Sequence, residues 1–232
     1  MDSARRSELI GQLVDMRRIP AHDTDTRTKL IDGDFHRLTK SLYVDRRTWD
    51  GLKRHEQDYL RCYAASSQSI KAVLVGKSAA RLCGVWTIQR KNEPVTLADP
   101  DGRPTSRKGK WTGYEYRYMT VPESDIVREG TQRFTNAVRT AIDIAREHGV
   151  EEGIVAIDSV LSGHDERTAQ AIVDEFSRTI ARMAGTRGIA KARKALARAN
   201  RLSESPYESQ LRTIFEPVSY THLRAHETPE HL

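Results

Sequence analysis

Apolar residues recur at helical spacing over most of the chain, and shorter apolar runs lie between these stretches. Spacings of three and four residues mark one face of an α-helix, whereas alternation marks a strand. The pattern predicts helices over residues 4–17, 24–32, 49–65, 79–83, 131–148, 151–161, 168–183 and 189–201. It predicts strands over residues 71–75, 94–98 and 114–119, and a strand or short hairpin over residues 35–44. The fold class expected is therefore α+β and mainly helical.

The first 48 residues are compatible with a small winged-helix-like unit, because helix, turn, helix and strand follow one another there. Pro20 stops the first helix and Gly33 ends the second. Residues 49–201 are expected to form a helical domain with a small antiparallel sheet.

A strand followed by Gly76-Lys77-Ser78 and a helix resembles a phosphate-binding loop. The complete motif needs a further glycine at the position that Lys71 occupies here. We therefore expect Ser78 to act as a helix N-cap.

Three tyrosines, Tyr114, Tyr116 and Tyr118, alternate along one predicted strand and so share a face. Such a row can stack on unpaired bases. Aromatic residues on one face of a sheet more often belong to the core, and we favour that interpretation.

Two aspartates, Asp143 and Asp158, lie on consecutive predicted helices and suggest either a metal site or acid–base chemistry. Two carboxylates alone make a poor metal site, and buried acids are normally paired. We expect Arg139, with Arg146, to neutralise them in a structural ion pair. No catalytic residue, metal ligand or cofactor is predicted.

Positive charge is concentrated in one segment of a chain whose net charge is +6. Residues 178–201 contain eight Lys or Arg residues and no acid. On the predicted helix 189–201 the cations lie three or four residues apart, and one more precedes it; the set is Arg187, Lys191, Lys194, Arg198 and Arg201. A phosphate backbone would relieve the repulsion within such a stripe, so DNA or RNA contact is predicted there. A solvated surface helix is the alternative.

Ser205-Pro206-Tyr207-Glu208 is a helix-start signal, with Ser205 as N-cap and Glu208 closing a capping box. The helix that follows carries an apolar stripe with no visible partner, so residues 202–217 are expected to be the first helix of a further, truncated domain. Residues 218–232 back-translate to a sequence that resembles a DNA-sequencing adapter. We expect this tail to be foreign and without folded structure.

A reduced, cytoplasmic setting is expected, because the cysteines Cys62 and Cys83 form no CxxC pair. No apolar stretch approaches the length of a membrane span, so no membrane partner is predicted.

Five short stretches together resemble actinobacterial proteins related to the AbiEi antitoxins of type IV toxin–antitoxin systems. They are residues 37–44 (RLTKSLYV), 78–84 (SAARLCG), 138–146 (VRTAIDIAR), 156–161 (AIDSVL) and 205–212 (SPYESQLR). Many such proteins end in a domain similar to the very-short-patch-repair endonuclease. In these proteins a sequence like SPYESQLR begins that domain, and the metal-binding acids follow later in the chain.

The resemblance implies a winged-helix start that binds promoter DNA and a cognate toxin as a possible partner. It places the DNA contacts of this region at Arg27, Lys29, Arg37 and Lys40. The N-terminus departs from a strong DNA binder, since residues 1–50 carry ten Lys or Arg against nine acids.

The leading hypothesis is a double-stranded-DNA-binding, antitoxin-like module for transcriptional regulation. We expect the given sequence to have no catalytic activity of its own. One alternative is the targeting half of a metal-dependent endonuclease. Another is a domain that docks a partner protein.

Overall fold

The computed structural model describes residues 1–103 and 113–215. These residues form ten α-helices and eight strands, which confirms the mainly helical α+β class. They divide into two compact units. Among the described residues, unit 1 contains residues 1–85 and 89–140, and unit 2 contains residues 86–88 and 141–215.

Unit 1 begins with two helices and a three-stranded antiparallel sheet. The elements are α1 (Ser3–Gly11), β1 (Val14–Asp15), α2 (Thr24–Asp32), β2 (Phe35–Arg37) and β3 (Leu42–Asp45), with β3 in the centre of the sheet. The predicted α2 and its hairpin are present, and Gly33 ends α2 in the left-handed conformation. The helix predicted over residues 4–17 is wrong beyond Gly11, because Val14 and Asp15 pair with β3. A winged-helix unit stays a prediction.

The predicted helix over residues 49–65 is two helices, α3 (Arg46–Gly51) and α4 (Arg54–Gln68). The chain is extended at Leu52, which ends α3. The backbone N–H of Lys53 then donates to the Glu56 carboxylate at 2.9 Å, which starts α4 afresh.

A five-stranded sheet follows, with strand order β6-β5-β4-β8-β7. Its strands are β4 (Val73–Leu74), β5 (Val95–Ala98), β6 (Tyr114–Arg117), β7 (Ile126–Glu129) and β8 (Gln132–Thr135), and α5 (Gly76–Cys83) follows β4. The sheet is mixed rather than purely antiparallel, since β5 pairs with β6, and β4 with β8, in parallel. The start of the helix predicted over residues 131–148 is wrong, because residues 132–135 pair with β7 in a hairpin.

The core of unit 1 lies between one face of this sheet and α4. Leu60 of α4 packs there with Leu74 and Phe134 of the sheet. Leu9 and Val44 from the first 48 residues belong to the same apolar cluster. The predicted boundary at residue 48 therefore falls inside a shared core.

Unit 2 is helical. Its elements are α6 (Ala137–His148), which starts in unit 1, then α7 (Val150–Leu161), α8 (Glu166–Arg182), α9 (Ile189–Ala197) and α10 (Pro206–Phe215). Gly153 of α7 lets three helices meet. A Cβ there would lie 2.5 Å from the Ala145 Cβ on α6 and 3.0 Å from the Ala195 Cβ on α9.

Within the described ranges, no helix is long and apolar enough to cross a membrane. Cys62 and Cys83 are both free thiols. Residues 104–112, between β5 and β6, and the whole adapter-like tail, residues 218–232, lie outside the described residues.

Candidate nucleic-acid interface

One face of α9 is buried and the other is cationic. Ile189, Ala192 and Ala195 are buried, and α9 contacts both α7 and α8. Lys191 and Lys194 are exposed on the other side. The spacing of the apolar residues, three apart, sets this orientation.

Cations are spread across the whole exposed side of α9. At 100° per residue, Ala190 and Lys194 lie nearest the middle of this side, with Lys191 towards one margin and Arg193 towards the other. The three cations therefore project from one continuous surface of the helix.

Acidic residues are absent from residues 178–201; the nearest along the chain are Glu175 and Glu204. Among the residues that the structure describes, none forms an ion pair with Lys191, Arg193 or Lys194. The exposed turn before the helix adds Arg187. We call the surface formed by Arg187, Lys191, Arg193 and Lys194 the cationic face.

The predicted stripe is wrong at its C-terminal end. The helix stops at Ala197, so Arg198 and Arg201 are not on it, and both are half-buried. The Arg198 carbonyl accepts a hydrogen bond from Arg212 at 2.6 Å. Arg193 contributes to the cationic face instead of Arg198 and Arg201. It is not part of the predicted stripe because it does not lie three or four residues from Lys191 or Lys194.

Buried Asp158 of α7 fixes the chain beyond the end of α9. Its carboxylate accepts hydrogen bonds from the backbone N–H of Asn200 at 2.6 Å and from the Ser203 hydroxyl at 3.1 Å. It also forms an ion pair with Arg212 of α10 at 2.5 Å. One carboxylate thus joins α7, the turn after α9, and α10.

Buried Asp143 of α6 acts through Arg146 on the other end of α9. Arg146 Nη1 lies 2.6 Å from the Asp143 carboxylate, and its Nε donates to the Arg187 carbonyl at 3.0 Å. Gly188 follows with φ +83°, and a Cβ there would lie 2.5 Å from the Arg146 carbonyl oxygen. The two aspartates therefore hold the two ends of the cationic helix.

Arg139, the third member of the predicted ion-pair set, is buried in unit 1. Its Nη1 lies 2.9 Å from the Asp125 carboxylate, and its Nη2 donates to the Thr120 carbonyl at 3.2 Å. Asp125, which the sequence did not single out, lies in the short 3₁₀ turn before β7.

The four N-terminal candidates differ in how far they are engaged within the protein. Arg27 donates to the Ile19 carbonyl at 3.4 Å, and Lys29 pairs with Asp25 at 2.8 Å. Arg37 donates to the carbonyls of Thr39 and Lys40 and lies 5.7 Å from the centroid of the Tyr43 ring. Lys40 is exposed in the hairpin turn.

Gly76-Lys77-Ser78 forms the first turn of α5 rather than a loop. Lys77 is buried and lies 2.6 Å from Glu93, which also contacts Arg81. Burial alone would raise the pKa of Glu93, but these two cations outweigh it and hold that pKa below its ordinary value. Ser78 is not the N-cap, which is Val75; its hydroxyl instead accepts from the Thr96 backbone N–H at 2.8 Å.

The tyrosine row is divided between core and surface. Tyr114 and Tyr116 pack against the unit 1 core, and burial raises the pKa of both hydroxyls. Tyr118 lies past the end of β6 and is 69% exposed.

Helix α10 buries polar residues and exposes apolar ones. Ser209 and Thr213 are buried, and α10 contacts α7. The exposed apolar side chains are 53% to 76% accessible; they are Tyr207, Leu211, Ile214 and Phe215. The predicted start is present: the Glu208 N–H donates to Ser205 Oγ at 3.2 Å. The Glu208 carboxylate accepts from the N–H of Glu204 rather than of Ser205.

Comparison of the chain with known protein families and with curated proteins finds no match. Among the described residues, no group of three or more His, Cys, Asp or Glu side chains could hold a metal ion.

Proposed function

We propose that the protein is a DNA-binding, antitoxin-like module for transcriptional regulation, and that the cationic face of α9 contacts the phosphate backbone of double-stranded DNA. The observation that carries the proposal is the exposure of Lys191, Arg193 and Lys194 with no ion-pair partner among the described residues. Cations without internal partners are free to replace the counterions that surround DNA.

The anchoring of α9 supports the same proposal. Asp143, through Arg146 and the Arg187 carbonyl, holds the start of the helix, and Asp158 holds the turn after its end. A cationic surface that is already held in place loses less conformational entropy on binding than one on a mobile segment. Phosphate contacts position a protein on DNA but do not read its sequence. A sequence preference would therefore require contacts elsewhere.

The resemblance to AbiEi-like antitoxins adds DNA of the promoter region as the target and a cognate toxin as the partner. The N-terminal candidates Arg27, Lys29, Arg37 and Lys40 belong to this part of the proposal. Two of them, Lys29 and Arg37, already have charged or aromatic partners in the protein, which favours α9 as the main contact.

The proposal is tested by fluorescence anisotropy with labelled duplexes from upstream of the gene and with random duplexes of equal length, across a range of salt concentrations. The triple variant Lys191→Ala, Arg193→Ala, Lys194→Ala should weaken binding about tenfold or more. It should also reduce the slope of log K against log salt by roughly 0.9 for each phosphate that the variant no longer neutralises.

The matched control is the triple variant Arg27→Ala, Lys29→Ala, Lys40→Ala, which removes the same charge from unit 1. We expect it to bind DNA more tightly than the α9 variant does. If the unit 1 control variant fails to bind DNA while the α9 variant still binds it, α9 is not the DNA contact. If the unaltered protein binds neither duplex, or binds with an affinity independent of salt, DNA binding itself is refuted.

A further inference from the structure

Unit 1 contains a cavity of about 550 Å³ between the β2–β3 turn, the end of α4 and the edge strand β6. Sites for small molecules commonly have volumes of about 300–1,000 Å³. The inner wall is apolar and includes Ala65, Ala72 and Leu97. The cavity is therefore large enough for a small organic ligand.

Two aromatic rings line this cavity. Tyr114 and Tyr116 are two residues apart on β6 and lie on the same face of the sheet. The Tyr114 hydroxyl donates to the Leu38 carbonyl at 3.2 Å, which fixes the orientation of its ring. An aromatic ring held in place in this way suits a flat, unsaturated ligand such as a nucleobase.

The surroundings of the cavity are positively charged on balance. Its lining includes the exposed residues Lys40 and Lys71, and Asp99 is the one acid among the lining residues that the structure describes. Neither lysine forms an ion pair with any described residue. An anionic group on the ligand would therefore be attracted to the lysine side.

We propose that this cavity binds a nucleotide. The base lies against Tyr114 and Tyr116, and the phosphate lies near Lys40 and Lys71. The site belongs to unit 1 and does not depend on DNA binding by α9. The same chemistry is present in a free nucleoside monophosphate and in one nucleotide of a single strand.

Isothermal titration of the full chain distinguishes these sources. The probes are the four ribonucleoside 5′-monophosphates, a thymidine decamer and inorganic phosphate. Binding of a monophosphate as tightly as the decamer identifies a free nucleotide, whereas binding of the decamer alone identifies a strand. If none binds at millimolar concentration, or if phosphate binds as tightly as the nucleotides, the proposal is overturned.

Two variants locate the binding in the cavity. Tyr116→Leu should weaken binding about tenfold, because leucine offers the base no ring to stack on. The double variant Lys40→Ala, Lys71→Ala, which alters only exposed side chains and so spares the core, should weaken it by about the same factor.

The matched control is Lys53→Ala, which removes an exposed lysine at the opposite end of α4 and should leave binding unchanged. The α9 triple variant should also bind the nucleotide normally. Unchanged binding in the lysine double variant, with a normal thermal melt, would overturn the proposed site.

Discussion

Asp158→Asn should detach α10 and the turn after α9 from the rest of unit 2. Among the described residues, the buried Asp158 carboxylate has three donors: the Asn200 N–H, the Ser203 hydroxyl and the Arg212 guanidinium. Removing one partner of a buried ion pair typically costs about 3–5 kcal/mol. The Arg212 side chain is 21% exposed, so water recovers part of that cost. We expect the opening free energy of α10 to fall by about 3 kcal/mol.

Hydrogen exchange measures this change directly, because the amides of α10 exchange through local opening. A decrease of that size accelerates their exchange roughly a hundredfold. Asp174→Asn on the surface of α8 is the matched control, since Asp174 is exposed and is bonded only by Gln170 among the described residues. It should change exchange by less than threefold, corresponding to about 0.5 kcal/mol or less.

Adding Arg212→Met to Asp158→Asn tests the pair itself. The double variant should recover part of the stability, because it no longer leaves a guanidinium without its counter-charge. Exchange in α10 that is unaffected by Asp158→Asn, or strictly additive effects in the double variant, would refute the role given to this carboxylate.

Two further predictions concern pH and packing. Hydrogen bonding to Arg5 lowers the folded-state pKa of Glu56, so this group stabilises the protein above its ordinary pKa of 4.5 and the contribution disappears as pH falls through the folded value. Glu56→Gln should therefore lower unfolding stability by about 1 kcal/mol at pH 7 in urea titrations, and less in acid; a difference that is constant with pH would contradict this. Gly153→Ala should destabilise unit 2 by about 1–3 kcal/mol despite the better helix propensity of alanine, because the new Cβ meets Ala145. A raised melting temperature would show that the helices separate without cost.

The elements predicted correctly are those whose signals are local. The helices over residues 151–161 and 168–183 combine a clear apolar period with a defined start, and in the second Asp165 caps the helix by accepting from the Thr168 N–H. The apolar spacing does not predict the hairpin turn at Gly130, because Phe134 stands at helical spacing from Val138. Phe134 is nevertheless held in β8 by pairing with β7 and β4.

The candidate site shows the same division between local and distant signals. The cationic character of α9 can be read from its own residues. The end of α9 at Ala197 cannot be read from the local sequence. The turn after it is held by a hydrogen bond from the Asn200 N–H to Asp158, which lies 42 residues away along the chain. The ion pair between Asp125 and Arg139 likewise has no signal in the sequence, because the two residues lie in different elements with no shared period.

The inverted burial of α10 has a practical consequence for handling the protein. Environment-sensitive dyes such as anilinonaphthalene sulfonate fluoresce when they bind apolar surface, which ordinarily marks a partly unfolded state. Here the native helix already offers such a surface, with Leu211, Ile214 and Phe215 each more than half exposed. Dye fluorescence should therefore be high before any heating, and a rise in that signal is a poor reporter of melting for this chain.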